Sequence, residues 1–228
     1  MGLHLPPFPR RSSRVAPYAP QSRAGGPLTG LPSHLELVQG VVLPKPVGAH
    51  PVLDFVNTRS EWTTRGPART EWLTSYEAFL IWNSSVGLLS PATVFRLLEQ
   101  VGGKPTEAAR RLNATLEFRV DLYDVLTGGA TDGSFESVAR VIEKASGRRR
   151  LVPVDDGAVW ELPEDLAEPL DHLALLAGEL LTGPSRAHVR VCPSCGWLFL
   201  DPRGRRRWCS MATCGNRAKV RAHAARAR

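Results

Sequence analysis

The sequence predicts a mainly helical protein with some β structure (α+β) that ends in a small metal-binding module. Between residues 70 and 181, apolar side chains recur at helical spacing and the segments are separated by proline and glycine. Two short apolar segments flank Asp155-Asp156-Gly157 and predict a β-hairpin. All four cysteines of the 228 residues lie close together near the C-terminus, within a strongly basic segment.

Composition divides the chain into three parts. Residues 1–47 hold nine of the nineteen prolines and show little periodicity, so we expect a disordered, proline-rich extension. A start codon placed too far upstream would give the same composition. Residues 48–183 form the predicted helical domain. Residues 186–228 form the predicted metal-binding module with its basic tail.

The helical domain opens with PVLDFVNT at 51–58, which we expect to be a short, mostly buried strand. Capping residues, prolines and glycines then bound five predicted helices: 70–86, 90–101, 105–127, 134–147 and 164–181. The hairpin is predicted at 151–154 and 159–162, between the fourth and fifth of these helices. Gly183-Pro184 ends the last helix and begins the linker to the metal-binding module.

The cysteine spacing is C-x2-C, thirteen residues, and C-x4-C. Zn²⁺ takes four ligands tetrahedrally, and each short pair can span one edge of the tetrahedron. Two disulfides are the alternative, but they require an oxidising compartment, and no apolar segment of an export signal follows the N-terminal arginines. We therefore predict one zinc ion per chain with four ligands: Cys192, Cys195, Cys209 and Cys214.

Charge is distributed unevenly. Residues 1–50 carry five basic and one acidic residue (net +4), and residues 51–185 carry thirteen and twenty (net −7). Residues 186–228 carry eleven and one (net +10). A basic module on an acidic body predicts a polyanionic partner contacted at one end, and a solvated tail that only aids solubility is the alternative.

Two motifs resemble a known family. RRWCSM at 206–211 followed by CGNR at 214–217 resembles the CGNR zinc finger, which closes a family of bacterial proteins regarded as stress-response transcription regulators. LDFVNTR at 53–59 resembles the opening of that family's N-terminal domain. The resemblance covers about residues 51–223 and implies a zinc-dependent nucleic-acid-binding module. We expect the helical domain at 48–183 to have a regulatory role, in which it senses a signal or forms a homodimer. Asn57 and Arg119 resemble polar positions of that N-terminal domain. They either line a small-molecule pocket or tie backbone elements together.

The basic residues of the module are candidate nucleic-acid contacts. Arg205, Arg206 and Arg207 are expected to bind phosphates, and the later cations to hold the nucleic-acid backbone: Lys219, Arg221, Arg226 and Arg228. Asn216 and Arg217, at the start of a predicted terminal helix, are suited to base edges, although a helix cap and a brace on the finger explain them equally well.

Duplex DNA is the expected partner of the module. The alternatives are RNA, on which Trp197 and Trp208 would stack, and a zinc-stabilised protein-interaction module. We expect no enzyme, because four thiolates close the zinc shell and the sequence has no nucleophile–base set or phosphate loop. No run of eighteen apolar residues occurs, so we expect no transmembrane helix and a cytoplasmic location.

Overall fold

The structure is a computed structural model that describes residues 30–60, 62 and 70–226. Six helices form its body: α1 (Pro51–Val56), α2 (Tyr76–Ser85), α3 (Pro91–Gly103), α4 (Pro105–Thr127), α5 (Asp132–Arg148) and α6 (Glu168–Thr182). Their apolar faces share one core around the packed rings of Phe55, Phe79, Trp82 and Phe118. The predicted fold class, a mainly helical domain with short hairpins and a C-terminal cysteine module, is confirmed.

Local signals set most helix ends. The Ser90 hydroxyl accepts the Thr93 N–H in front of Pro91, and a reciprocal capping box between Thr131 and Ser134 starts α5. Gly128, with φ of 78°, ends α4 in the left-handed conformation. Helix α2 begins later than predicted, because Ser75 rather than Thr70 is its N-cap. The predicted hairpin forms as β3 (Arg150–Val154) and β4 (Gly157–Glu161), in antiparallel register.

Residues 51–56 form helix α1, so the prediction of a strand at 51–58 is wrong. A short apolar segment that is buried on all sides looks the same in a strand and in a helix. Here Pro51 occupies the first turn and His50 Nδ1 accepts the Val52 N–H at 3.2 Å. The Asp54 carboxylate accepts the N–H groups of Val47 and Gly48 at 2.8 and 2.7 Å, which holds the preceding loop against the helix.

A first hairpin precedes α1, where the sequence predicts disorder. Strands β1 (Leu35–Val38) and β2 (Val41–Pro44) pair antiparallel, and Leu43 is 1% exposed in the core of the body. Leu35 and Val42 pack against the aromatic residues around the cysteines. Residues 30–47 are therefore folded, because this apolar patch has partners far along the chain. Residues 1–29 of the predicted extension lie outside the described residues.

The C-terminal module packs directly on the body. Its strands β5 (Val189–Val191) and β6 (Leu198–Leu200) pair antiparallel, and Leu198 is buried in the same core as the helices. The Leu200 N–H donates to Gly48 O at 2.9 Å, and the Tyr123 hydroxyl donates to Gly196 O at 3.1 Å. A π-helical turn (Met211–Gly215) and helix α7 (Asn216–Arg226) complete the module. Within the described residues, no helix has the length and apolar character needed to span a bilayer.

Candidate metal centre

Two turns bring the cysteines together. Cys192 and Cys195 lie on the tight turn between β5 and β6, where Gly196 has φ of 78° and donates its N–H to Cys192 O at 2.9 Å. Glycine adopts this conformation without strain. Cys209 precedes the π-helical turn, and Cys214 lies within it, directly before α7. The strand hairpin therefore supplies one pair of thiols and the turn before α7 supplies the other.

The four sulfur atoms fit a zinc ion. They lie within 4.8 Å of one another, and three of the separations are 3.5, 3.6 and 3.7 Å. A tetrahedral site with Zn–S bonds of about 2.3 Å has sulfur atoms about 3.8 Å apart. Three of the cysteines are buried and Cys195 is half-buried. The cluster holds one zinc ion in a closed, four-thiolate shell, as the cysteine spacing predicts.

The close spacing of the four sulfur atoms favours binding of a metal ion over protonation of all four thiols. A hydrogen bond with Cys195 is the main reason that the pKa of Cys192 is lowered, and hydrogen bonding to Cys192 raises the pKa of Cys209. The neighbouring sulfurs thus share protons and negative charge, with the pKa lowered at Cys192 and Cys214 and raised at Cys195 and Cys209. Zinc replaces the shared protons and holds all four sulfurs as thiolates, so its binding stabilises the folded module.

Aromatic rings from both the module and the body cover the cysteines. Trp197 and Phe199 of the module pack there with Trp72, which belongs to the body. The Trp72 and Trp197 rings meet edge to face, with centroids 5.9 Å apart. Trp197 Nε1 also donates to Arg59 O at 2.8 Å. Nothing near Trp72 in the sequence indicates that it packs against the metal centre, because it lies 120 positions before the first cysteine.

The Arg206 guanidinium contacts backbone carbonyls of the protein itself, whereas the sequence predicts a contact with phosphate. Its guanidinium donates to three backbone carbonyls, those of Leu200 (3.2 Å), Val47 (3.1 Å) and Cys209 (2.6 Å). It also lies over the Phe199 ring, 4.5 Å from the centroid. The side chain therefore joins the loop of the module, the second zinc knuckle and the body.

The backbone of the same loop is held by Asp201. The buried Asp201 carboxylate accepts the N–H groups of Arg205 and Arg206 at 3.0 Å each. Burial raises the pKa of Asp201, but these two donors and nearby arginines outweigh it, so the pKa lies below its usual range. The loop is thereby fixed with the side chains of Arg205 and Arg207 exposed at the surface.

The two residues suited to base edges lie beside the metal. The Arg217 guanidinium donates to Cys214 Sγ at 3.6 Å, as a brace on the finger would. Asn216, Arg217 and Arg221 all line a cleft between α7 and the body. Lys219 and Arg226 lie on the opposite side of α7 and are exposed. The predicted contacts therefore fall into a solvent-facing set and a cleft-facing set.

Asn57 and Arg119 are both buried and hydrogen-bonded within the protein. The Asn57 amide accepts the Leu198 N–H at 2.8 Å and donates to Leu198 O at 2.9 Å. Arg119 donates to the Thr58 hydroxyl at 2.7 Å and forms a two-pronged ion pair with Glu71. These contacts tie backbone elements together, which is the structural alternative to a ligand pocket.

Comparisons with known protein families agree with the two motifs. The CGNR zinc finger model matches residues 188–227. The model of ABATE, described as "Putative stress-induced transcription regulator", matches residues 49–184. These matches confirm the resemblance based on CGNR and LDFVNTR. No curated protein matches the chain.

Proposed function

Because the chain belongs to the ABATE family of "Putative stress-induced transcription regulator" proteins and ends in a CGNR zinc finger, we propose that it binds duplex DNA through its C-terminal module. Zinc holds the β5–β6 hairpin, the loop and α7 in one arrangement, so binding depends on the metal. We propose binding rather than catalysis, because four thiolates leave no open position on zinc. Four reduced thiols that hold zinc also favour a cytoplasmic location.

The observation that carries this proposal is an exposed set of unpaired cations. Arg205, Arg207, Lys219 and Arg226 have no carboxylate partner among the described residues. The module itself offers no free carboxylate to balance them, because residues 186–228 carry eleven basic residues and one acidic residue, Asp201, which is buried. Phosphates are the partner that such a set fits, and contacts of this kind position a protein on DNA without reading its sequence.

The helix α7 is shaped for close approach to a phosphate backbone. Lys219 and Arg226 are seven residues apart and therefore lie on one side of the helix, two turns from each other. Between them the same side carries Ala222 and His223, so no acidic side chain separates the two cations. We assign Arg217 to the metal centre, and specificity for particular base pairs would then depend on residues outside the cleft or on a second protomer.

For the helical domain we propose dimerisation, which the β3–β4 hairpin favours over sensing. Its cross-strand neighbours Leu151 and Trp160 share one face of the hairpin and are 60% and 59% exposed. A second copy would remove these apolar side chains from water. Sedimentation equilibrium of the native chain and of Trp160→Ser tests this, and a monomer in both cases would contradict it.

The salt dependence of binding tests the nucleic-acid proposal. Four phosphate contacts predict that log affinity for duplex DNA falls with log salt at a slope of about −3.6, and Arg205→Ala or Lys219→Ala should flatten the slope by about 0.9. Arg140→Ala, an exposed arginine on α5, is the matched control and should leave the slope unchanged. Preference for single-stranded RNA over duplex DNA would favour the RNA alternative. An absence of salt-dependent binding would favour the protein-interaction module.

A further inference from the structure

A cleft of about 690 Å³ lies between α7, the zinc knuckles and the body. This volume falls within the roughly 300–1,000 Å³ typical of small-molecule sites. A cleft of this volume cannot hold a DNA duplex, because the duplex is as wide as a groove together with the two backbones that border it. The cleft is therefore a separate candidate site from the exposed cations on the other side of α7.

One wall of the cleft is aromatic. Trp72, Trp197 and His34 all line it. Each ring meets the other two at a steep angle, with centroids between 5.9 and 6.5 Å apart. The two indoles are 7% and 6% exposed, so their orientation is fixed by packing before any ligand arrives. Only the edges of the indoles reach the cleft, and a planar ring is the ligand group that packs edge to face against such a preformed surface.

The wall formed by α7 is polar and cationic. Arg217 and Arg221 are one turn apart and both line the cleft, and Asn216 lies beside them. Arg217 donates to Cys214 Sγ, which places its charge against the thiolates of the metal centre. Arg221 has no carboxylate partner, and the Asn216 amide no hydrogen-bond partner, in the part of the chain that the structure describes. None of the described residues that line the cleft is Asp or Glu.

We propose that this cleft binds a single nucleotide. Its base lies against Trp72 and Trp197, its phosphate pairs with Arg221, and the Asn216 amide faces the edge of the base. Arginine and phosphate form a charge-assisted, two-pronged pair, and an amide can donate to and accept from a base edge. The ligand is either a free mononucleotide or an unpaired nucleotide of a strand, because both present the same base and phosphate. This inference does not depend on duplex binding by the exposed cations.

Calorimetric titration of the full-length, zinc-loaded protein with AMP, GMP, CMP and UMP tests the proposal. At least one mononucleotide should bind saturably, and inorganic phosphate alone should bind much more weakly. Arg221→Gln should weaken mononucleotide binding by at least about tenfold, because a charge-assisted pair is lost. Arg203→Gln, an exposed arginine in the loop of the same module, is the matched control and should bind as the native chain does. Zinc content and circular dichroism of both variants confirm that they are folded.

Competition distinguishes the two sources of the nucleotide. Displacement of the mononucleotide by a ten-residue single strand but not by a blunt duplex would support an unpaired nucleotide, and displacement by neither would support a free one. Three outcomes overturn the proposal. They are no saturable binding with a dissociation constant below about 1 mM, equal binding by Arg221→Gln and Arg203→Gln, and equal displacement by duplex and single strand.

Discussion

Replacing Asn57 with alanine should destabilise the zinc module and the helical body together. Cys192 N–H donates to Trp197 O, which makes Val191 and Leu198 a non-hydrogen-bonded pair of the β5–β6 ladder. The backbone N–H and C=O of Leu198 therefore point away from β5, and the Asn57 amide pairs with both. Alanine would leave both groups buried without a partner.

The magnitude follows from those two groups. Each orphaned buried backbone group costs about 1–3 kcal/mol, so the variant should lose about 2–6 kcal/mol of folding free energy. A loss of about 3 kcal/mol in a chain of this length lowers the melting temperature by roughly 6–12 °C. Leu198 is fully buried in the core shared by the module and the helices, so water has no ready access to the freed groups.

Urea denaturation of the reduced, zinc-loaded protein measures the loss. Circular dichroism follows the helices and a chromogenic chelator follows zinc release, and both midpoints should fall together. Asn113→Ala, at an exposed position of α4, is the control and should change stability by less than about 0.5 kcal/mol. The reasoning is refuted if Asn57→Ala costs less than about 1 kcal/mol, or if zinc release moves while the helices keep their midpoint.

Three further predictions concern the module and its contacts with the body. Purified protein should contain one zinc per chain, with only sulfur ligands by X-ray absorption. The Cys209→Ser variant should lose zinc and have a lower melting temperature of its helices. Purification of metal-free protein with reduced thiols would contradict this. Arg206→Ala should cost about 1–2 kcal/mol in urea and release zinc earlier, because two of its three carbonyl contacts are exposed and contribute less than buried ones. Arg205→Ala should leave stability unchanged, and equal stabilities of the two variants would mean that the carbonyl contacts are weak. Removing residues 1–47 should lower the free energy of unfolding by about 2–5 kcal/mol more than removing residues 1–29, because the buried leucine of the first hairpin is lost. Equal melting temperatures of the two truncated chains would show that the hairpin does not stabilise the body.

Local and short-range features of this protein were predictable from sequence. The four cysteines are ligands in two short segments, so their spacing alone indicates a tetrahedral zinc site. Helices α3 to α6 were predicted because their capping residues, prolines and glycines act within a few positions of each helix end. The β3–β4 hairpin was predicted for the same reason, since its turn residues are adjacent in the chain.

Tertiary structure decided what depends on residues far apart in the sequence. Burial on all sides hid whether residues 51–56 form a strand or a helix. The first hairpin folds because it has partners on the helical body and beyond residue 190. Composition marks Arg205, Arg206 and Arg207 as equivalent, but only Arg206 reaches three carbonyls. The charge of a side chain is a property of its residue type. Whether that charge meets a carbonyl, a thiolate or solvent is set by distances between segments, and these distances exist only once the chain has packed.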